Sequence, residues 1–64
     1  MNLSDMDMLQ DYEKDARMAM LGHAIIESDV MDTQLRAIIH KGYEAASRSQ
    51  KKAADLIMAR GDRP

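Results

Sequence analysis

Residues 27–32, ESDVMD, separate two helical patterns whose apolar stripes run in different phases. Before this stretch, mostly apolar or small side chains recur every three or four residues, as on one face of a helix. They are Leu9, Tyr12, Ala16, Ala19, His23 and Ile26. After it, a stripe in a new phase comprises Leu35, Ile39, Gly42, Ala46, Ser49, Ala53 and Leu56. The chain is therefore expected to turn within this stretch, where Ser28, Asp29 and Asp32 can each cap the start of a helix.

The outer ends of both patterns carry helix-terminating signals. Ser4 can cap the first helix, because its hydroxyl can accept a hydrogen bond from a first-turn amide. Gly61 can adopt the left-handed conformation that ends a helix, and Pro64 cannot continue one. We expect an all-α protein with helix 1 over about residues 5–27, helix 2 over about 30–60 and a flexible tail over 61–64. Three shorter helices are the alternative, because Gly22 inside a helix costs about 1 kcal/mol relative to alanine and could end helix 1 early.

A short connection leaves neighbouring helices antiparallel, so the two helices are expected to form a hairpin. Its seam is predicted to pair large side chains with small ones. The predicted seam residues are Leu9, Tyr12, Ala16, Ala19, Leu35, Ile39, Gly42, Ala46 and Ala53. With the turn centred on residues 28 and 29, Gly42 faces Ala16 and lets the two backbones approach closely, so a bulky replacement there should destabilise the hairpin.

A chain of 64 residues without cysteine has few ways to be stable as a monomer. It buries only about 60% of the surface exposed when unfolded, and neither disulfides nor a thiolate zinc site can help. Two apolar features also lie outside the seam: a stripe on the far side of helix 1, and an overhang of helix 2 over residues 54–60. The residues predicted to contact a second chain are Met18, Leu21, Ile25, Tyr43, Leu56, Ile57 and Met58. We expect a homodimer that forms a four-helix bundle, with a partner helix of another protein as the alternative.

Charge is distributed unevenly along the chain. Residues 1–32 hold eight acids and two bases, a net charge of −6, whereas residues 33–64 hold seven bases and three acids, a net charge of +4. We expect an acidic helix beside a basic one, with charges paired at the rims. A nucleic-acid-binding dimer is the alternative, and its contacts would be Lys41, Arg48, Lys51 and Lys52 along one flank of helix 2. The acidic first helix argues against it, because it would repel phosphates unless it faced away.

Catalytic and metal-binding patterns are weak in this sequence. His23 and His40 each precede a glutamate by four residues, but two ligands are too few for a metal site. The three glycines are isolated, so they form no phosphate-binding loop. We therefore expect no catalytic, cofactor or metal site and no enzyme activity. The longest nearly apolar run, residues 18–26, is about half a bilayer span, so we expect a cytoplasmic protein without a membrane segment.

Two segments, YEKDARMAML at residues 12–21 and DTQLRAIIH at residues 32–40, resemble the small helical proteins of the early, recombination-to-excision region of lambda-like bacteriophages. The resemblance implies a protein made early in infection that binds host or phage proteins in the bacterial cytoplasm. Its expected effect is on host growth or on the lysis-lysogeny decision. In architecture alone, the hairpin also resembles the RNA-binding dimeric four-helix bundles of plasmid copy-number control.

Overall fold

The computed structural model describes residues 4–64, and these form two helices and no strand. Helix α1 spans Asp5–Asp29 and helix α2 spans Thr33–Ala59. The helices pack against each other as an antiparallel hairpin that measures 44 × 25 × 13 Å, a single layer two helices wide. The expected all-α hairpin is confirmed.

Side chains cap the start of each helix. The Ser4 hydroxyl accepts a hydrogen bond from the Asp7 amide at 3.1 Å, and the Asp7 carboxylate accepts one from the Ser4 amide at 3.3 Å. This reciprocal capping box satisfies two amides that the helix itself leaves without partners. At the start of α2, the Asp32 carboxylate accepts from the Leu35 amide at 2.8 Å.

The end of α2 is a Schellman motif built on Gly61. This glycine has a φ of +83°, a left-handed conformation that other residues rarely adopt. Its amide donates to the Met58 carbonyl at 3.0 Å, and the Asp62 amide donates to the Ile57 carbonyl at 3.1 Å. These bonds satisfy carbonyls that would otherwise have no partner at the helix end.

Helix α1 continues through Gly22 without interruption, so the alternative of three shorter helices is wrong. Nothing lies within 4 Å of where a Cβ atom would stand at Gly22. The residue therefore has no steric role, and its helix is held by packing along the rest of its length.

The seam follows a 3,4 spacing on both helices, which is typical of helices that pack with a small angle between their axes. On α1 the buried and half-buried residues with this spacing are Met6, Leu9, Glu13, Ala16, Met20, His23 and Glu27. On α2 they are Ile39, Tyr43, Ala46, Gln50, Ala53 and Ile57, with half-buried Gly42 beside them.

Three residues predicted for the seam lie at its edge instead. Tyr12 is 57% exposed, and Ala19 and Leu35 are also exposed. On α1 the prediction is wrong at Tyr12 and Ala19 because it followed apolar residues, whereas the observed stripe passes through Glu13 and Glu27. A polar residue inside a seam shifts any reading based on hydrophobicity alone.

The helix ends near the turn also differ from the prediction. Helix α1 runs to Asp29 and α2 starts at Thr33, so the connection is centred on Met31 instead of on residues 28 and 29. This later turn moves every facing pair, and α2 has no overhang. Ile57, predicted to contact a second chain, is 0% exposed inside the hairpin. The tail also contacts α1, because the Gln10 side chain donates to the Arg63 carbonyl at 2.6 Å.

Candidate protein-interaction surface

A buried carboxylate lies in the middle of the seam. Glu13 is 1% exposed, and both of its oxygens accept hydrogen bonds, Oε1 from Gln50 Nε2 at 3.0 Å and Oε2 from Arg17 Nη2 at 3.1 Å. Within residues 4–64, every buried polar side-chain atom has a partner. The Gln50 bond crosses from one helix to the other, so it fixes which residues face each other.

The His23 ring packs directly against Gly42 across the seam. The His23 Nδ1–H donates to the Ala19 carbonyl at 2.7 Å, which directs the ring edge towards α2. A Cβ atom at Gly42 would lie 2.5 Å from His23 Nε2 and 2.6 Å from its Cδ2. Gly42 therefore has a packing role, although the residue that it faces is His23 and not Ala16.

His40 bridges two carboxylates near the turn. Its Nδ1 lies 3.1 Å from Glu27 Oε2 on α1, and its Nε2 lies 3.0 Å from Glu44 Oε1 on α2. The hydrogen bond to Glu27, reinforced by the charges of both glutamates, raises the pKa of His40 above its usual value of 6.5. The ring also stacks on Tyr43, with centroids 5.8 Å apart. Glu27 thus pairs across the hairpin instead of with His23, its sequence neighbour four positions away.

The chemistry of this cluster suits a charged imidazole and not a metal. Each ring nitrogen faces a different carboxylate, so the two carboxylates lie on opposite edges of the ring. Among residues 4–64, no set of three or more His, Cys, Asp or Glu side chains has the geometry to hold a metal ion. A nearby hydroxyl, Ser28 Oγ, donates to the Ile25 carbonyl at 2.6 Å.

The hairpin has two broad faces of different character. One, the polar face, carries a groove of about 380 Å³ lined by Ala24, Glu27, Ser28, Arg36, His40 and Tyr43. The other, the apolar face, carries a groove of about 340 Å³ lined by Leu9, Tyr12, Ser49, Lys52, Ala53 and Leu56. Large hydrophobic side chains at the surface of the apolar face are Met8, Tyr12, Ile26, Leu35, Ile38 and Leu56.

The stripe predicted on the far side of α1 is also exposed. Its members Met18, Leu21 and Ile25 are exposed, and helical periodicity directs them away from the seam. The other residues predicted to contact a second chain are more scattered. Leu56 belongs to the apolar face, Met58 is exposed on the opposite side of α2, and Tyr43 is half-buried at the polar groove.

The four basic residues predicted to contact nucleic acid do not form a uniform surface. Lys51 Nζ lies 2.9 Å from the Asp55 carboxylate, and Arg48 lies 3.8 Å from Glu44. Lys52 lines the groove on the apolar face, and Lys41 is exposed. Half of the set is thus already close to a negative charge.

Comparison with protein-family models, curated proteins and solved structures finds no match for this chain. Neither helix of the part described, residues 4–64, is both long and apolar enough to cross a membrane.

Proposed function

We propose that this chain is a small non-enzymatic regulatory protein that acts through protein–protein contacts, as a homodimer whose four helices form a bundle. The observation that carries the proposal is the mismatch between its core and its surface. Over residues 4–64, the buried hydrophobic residues are Ala53, Ala54 and Ile57, whereas eleven large hydrophobic side chains are at least 42% exposed. Such a distribution is typical of a subunit and not of an independent domain.

The surface area supports the same proposal. The hairpin exposes 4986 Å². A globular monomer of 7.2 kDa exposes about 4100 Å², so this chain has about 900 Å² in excess. A specific protein–protein interface buries roughly 800 Å² on each partner. One interface of ordinary size would therefore bring the chain to the surface area of a normal globular protein.

The regulatory part of the proposal has separate support. Of the titratable side chains, buried Glu13 is engaged with Gln50 and Arg17, and His40 at the polar groove is engaged with two glutamates. The far stripe of α1, Met18, Leu21 and Ile25, offers an apolar strip to a helix of another protein. The resemblance to early proteins of lambda-like phages favours a host or phage protein as that partner, and a role in host growth or in the lysis-lysogeny decision, exerted in the bacterial cytoplasm.

Nucleic-acid binding has less support, because Lys51 and Arg48 lie beside carboxylates that already offset their charge. The two functions predict different behaviour with nuclease. Protein partners captured from a bacterial lysate by the tagged chain remain after nuclease treatment, whereas partners held through RNA or DNA are lost.

A capture experiment with matched variants tests the proposal. The wild-type chain should retain a specific protein after nuclease treatment, and Leu21→Asp should lose it. Gln34→Asp, which adds the same charge at an exposed position of the other helix, should retain it. Loss of all captured protein on nuclease treatment, together with a shift of bulk RNA or DNA at low salt, would instead favour the nucleic-acid function.

A further inference from the structure

The apolar face differs from the far stripe of α1 in one respect that matters for a bundle. Both helices contribute to it: Met8, Tyr12 and Ile26 from α1 face the same side as Leu35, Ile38 and Leu56 from α2. The stripe of Met18, Leu21 and Ile25 belongs to α1 alone. A four-helix bundle forms when two hairpin layers stack, so each layer needs an apolar face made by both of its helices.

The polar face is poorly suited to this stacking. It carries Arg17, Arg36 and the His40 cluster with its two glutamates. Burying that set against another layer would remove several charges from water, which is costly unless each finds a new partner. The single-layer shape of the hairpin leaves the apolar face as the one broad surface of residues 4–64 that a second layer could cover.

Resting on the proposed function that the chain self-associates, we propose that a second copy of this chain docks on the apolar face, with α1 of each protomer lying over α2 of its partner. The excess surface of about 900 Å² matches the area that each protomer buries in an interface of ordinary size. The far stripe of α1 then remains at the surface of the dimer, free for a partner of a different kind.

Two symmetric dimers place the apolar face of one protomer against the apolar face of the other, and charge distinguishes them. One two-fold axis lays α1 over the partner's α1, which brings two acidic helices together. The other lays α1 over the partner's α2, which brings the half of net charge −6 against the half of net charge +4. Complementary charge favours the second arrangement, because like charges opposed across an interface weaken it.

One residue pair at the rim is specific to this arrangement. Asp15 follows Tyr12 by three positions and so lies on the same side of α1, at its outer edge. Lys52 lies at the corresponding edge of α2, where it lines the apolar groove. Because Glu13 faces Gln50, Asp15 and Lys52 lie within about one helical turn of the same level. Stacking α1 over the partner's α2 brings each Asp15 near the partner's Lys52, twice per dimer.

The apolar face can be tested with two isoleucines of nearly equal exposure. Ile38 on this face is 66% exposed, and Ile25 on the far stripe is 63% exposed. Sedimentation equilibrium should show that Ile38→Glu raises the dimer Kd roughly 30-fold or more, as at a central interface residue. Ile25→Glu should leave the Kd within about threefold of the wild-type value. If Ile25→Glu dissociates the dimer and Ile38→Glu does not, the chain self-associates through another face, which overturns this inference but not the proposed function.

A charge exchange tests the orientation even if Ile38→Glu unfolds on dissociation. Asp15→Lys and Lys52→Asp should each raise the dimer Kd about fivefold at low salt, and the double variant should return it to within about twofold of wild type. A double variant as weak as the single variants would overturn the arrangement of α1 over the partner's α2. A wild-type chain that remains a folded monomer would overturn the proposed dimer and this inference together.

Discussion

Gln50 Nε2 donates a hydrogen bond of 3.0 Å to Glu13 Oε1 inside the seam, where Glu13 is 1% exposed. A hydrophobic seam of alanines and methionines could slide by one turn at little cost. The buried carboxylate does not allow this, because any other register would leave it without the Gln50 amide. We therefore interpret this pair as the feature that sets the register of the hairpin.

Replacing Gln50 tests how much its hydrogen bond to Glu13 stabilises the hairpin. Gln50→Leu removes the donor and leaves a buried carboxylate oxygen unpaired, so it should lower the free energy of unfolding by about 2 kcal/mol. The double variant Glu13→Leu with Gln50→Leu should recover most of this loss, because both polar groups are then removed together. Urea denaturation measures both. A Gln50→Leu variant as stable as wild type would show that the bond has no energetic role.

The two helical glycines give a matched pair of alanine substitutions with opposite expected signs. Gly22→Ala should raise the free energy of unfolding by about 0.5–1 kcal/mol, since nothing lies near the new methyl group and alanine favours the helix. Gly42→Ala should lower it by about 1–3 kcal/mol, because the methyl group would overlap the His23 ring.

Removing the His23 side chain shows whether overlap with its ring causes the destabilisation by Gly42→Ala. In a His23→Ala background the ring is absent, so Gly42→Ala should no longer destabilise the hairpin. Thermal unfolding followed by circular dichroism measures the wild-type chain and the four variants. Equal effects of the alanine at positions 22 and 42 would contradict the close approach at Gly42.

The His40 cluster predicts a pH dependence of stability. Pairing with Glu27 and Glu44 raises the pKa of His40 in the folded chain, so the contribution of these pairs is complete below the unfolded value of 6.5 and is lost as the pH rises through the raised value. Arg36 at the same groove and Arg48 beside Glu44 keep their charge throughout this range. The difference in Tm between wild type and His40→Gln should therefore be larger at about pH 6 than at about pH 8.5. An equal difference at both pH values would rule out the protonated bridge.

The sequence predicts the helices of this chain better than their pairing. The caps at Ser4 and Gly61 and the change of stripe phase locate two helices because these signals are local. The turn was placed too early because Ser28, Asp29 and Asp32 all have side chains that can cap a helix, and the local sequence does not distinguish them. The seam prediction is one position out at Tyr12 because the neighbouring Glu13 lies in the seam instead. A buried carboxylate is predictable only once its partner on the other helix is known.

The error at Ile57 follows from the same cause. With the turn placed early, the end of α2 had nothing opposite it, and Ile57 was assigned to a second chain. In the structure the first turns of α1, including Gln10, lie opposite the C-terminal end of α2. Ile57 is therefore the most completely buried hydrophobic residue of the hairpin. The candidate surface is therefore a face that both helices build and not a helix overhang.

Sedimentation equilibrium of the wild-type chain tests the central claim most directly. Over roughly 1 to 100 μM, a specific dimer of micromolar or better affinity should give a mean mass that rises to about twice 7.2 kDa, with the helical circular dichroism spectrum retained. A chain that keeps that spectrum while sedimenting at 7.2 kDa across the whole range would contradict the account, because the hairpin would then be stable with its apolar face in water.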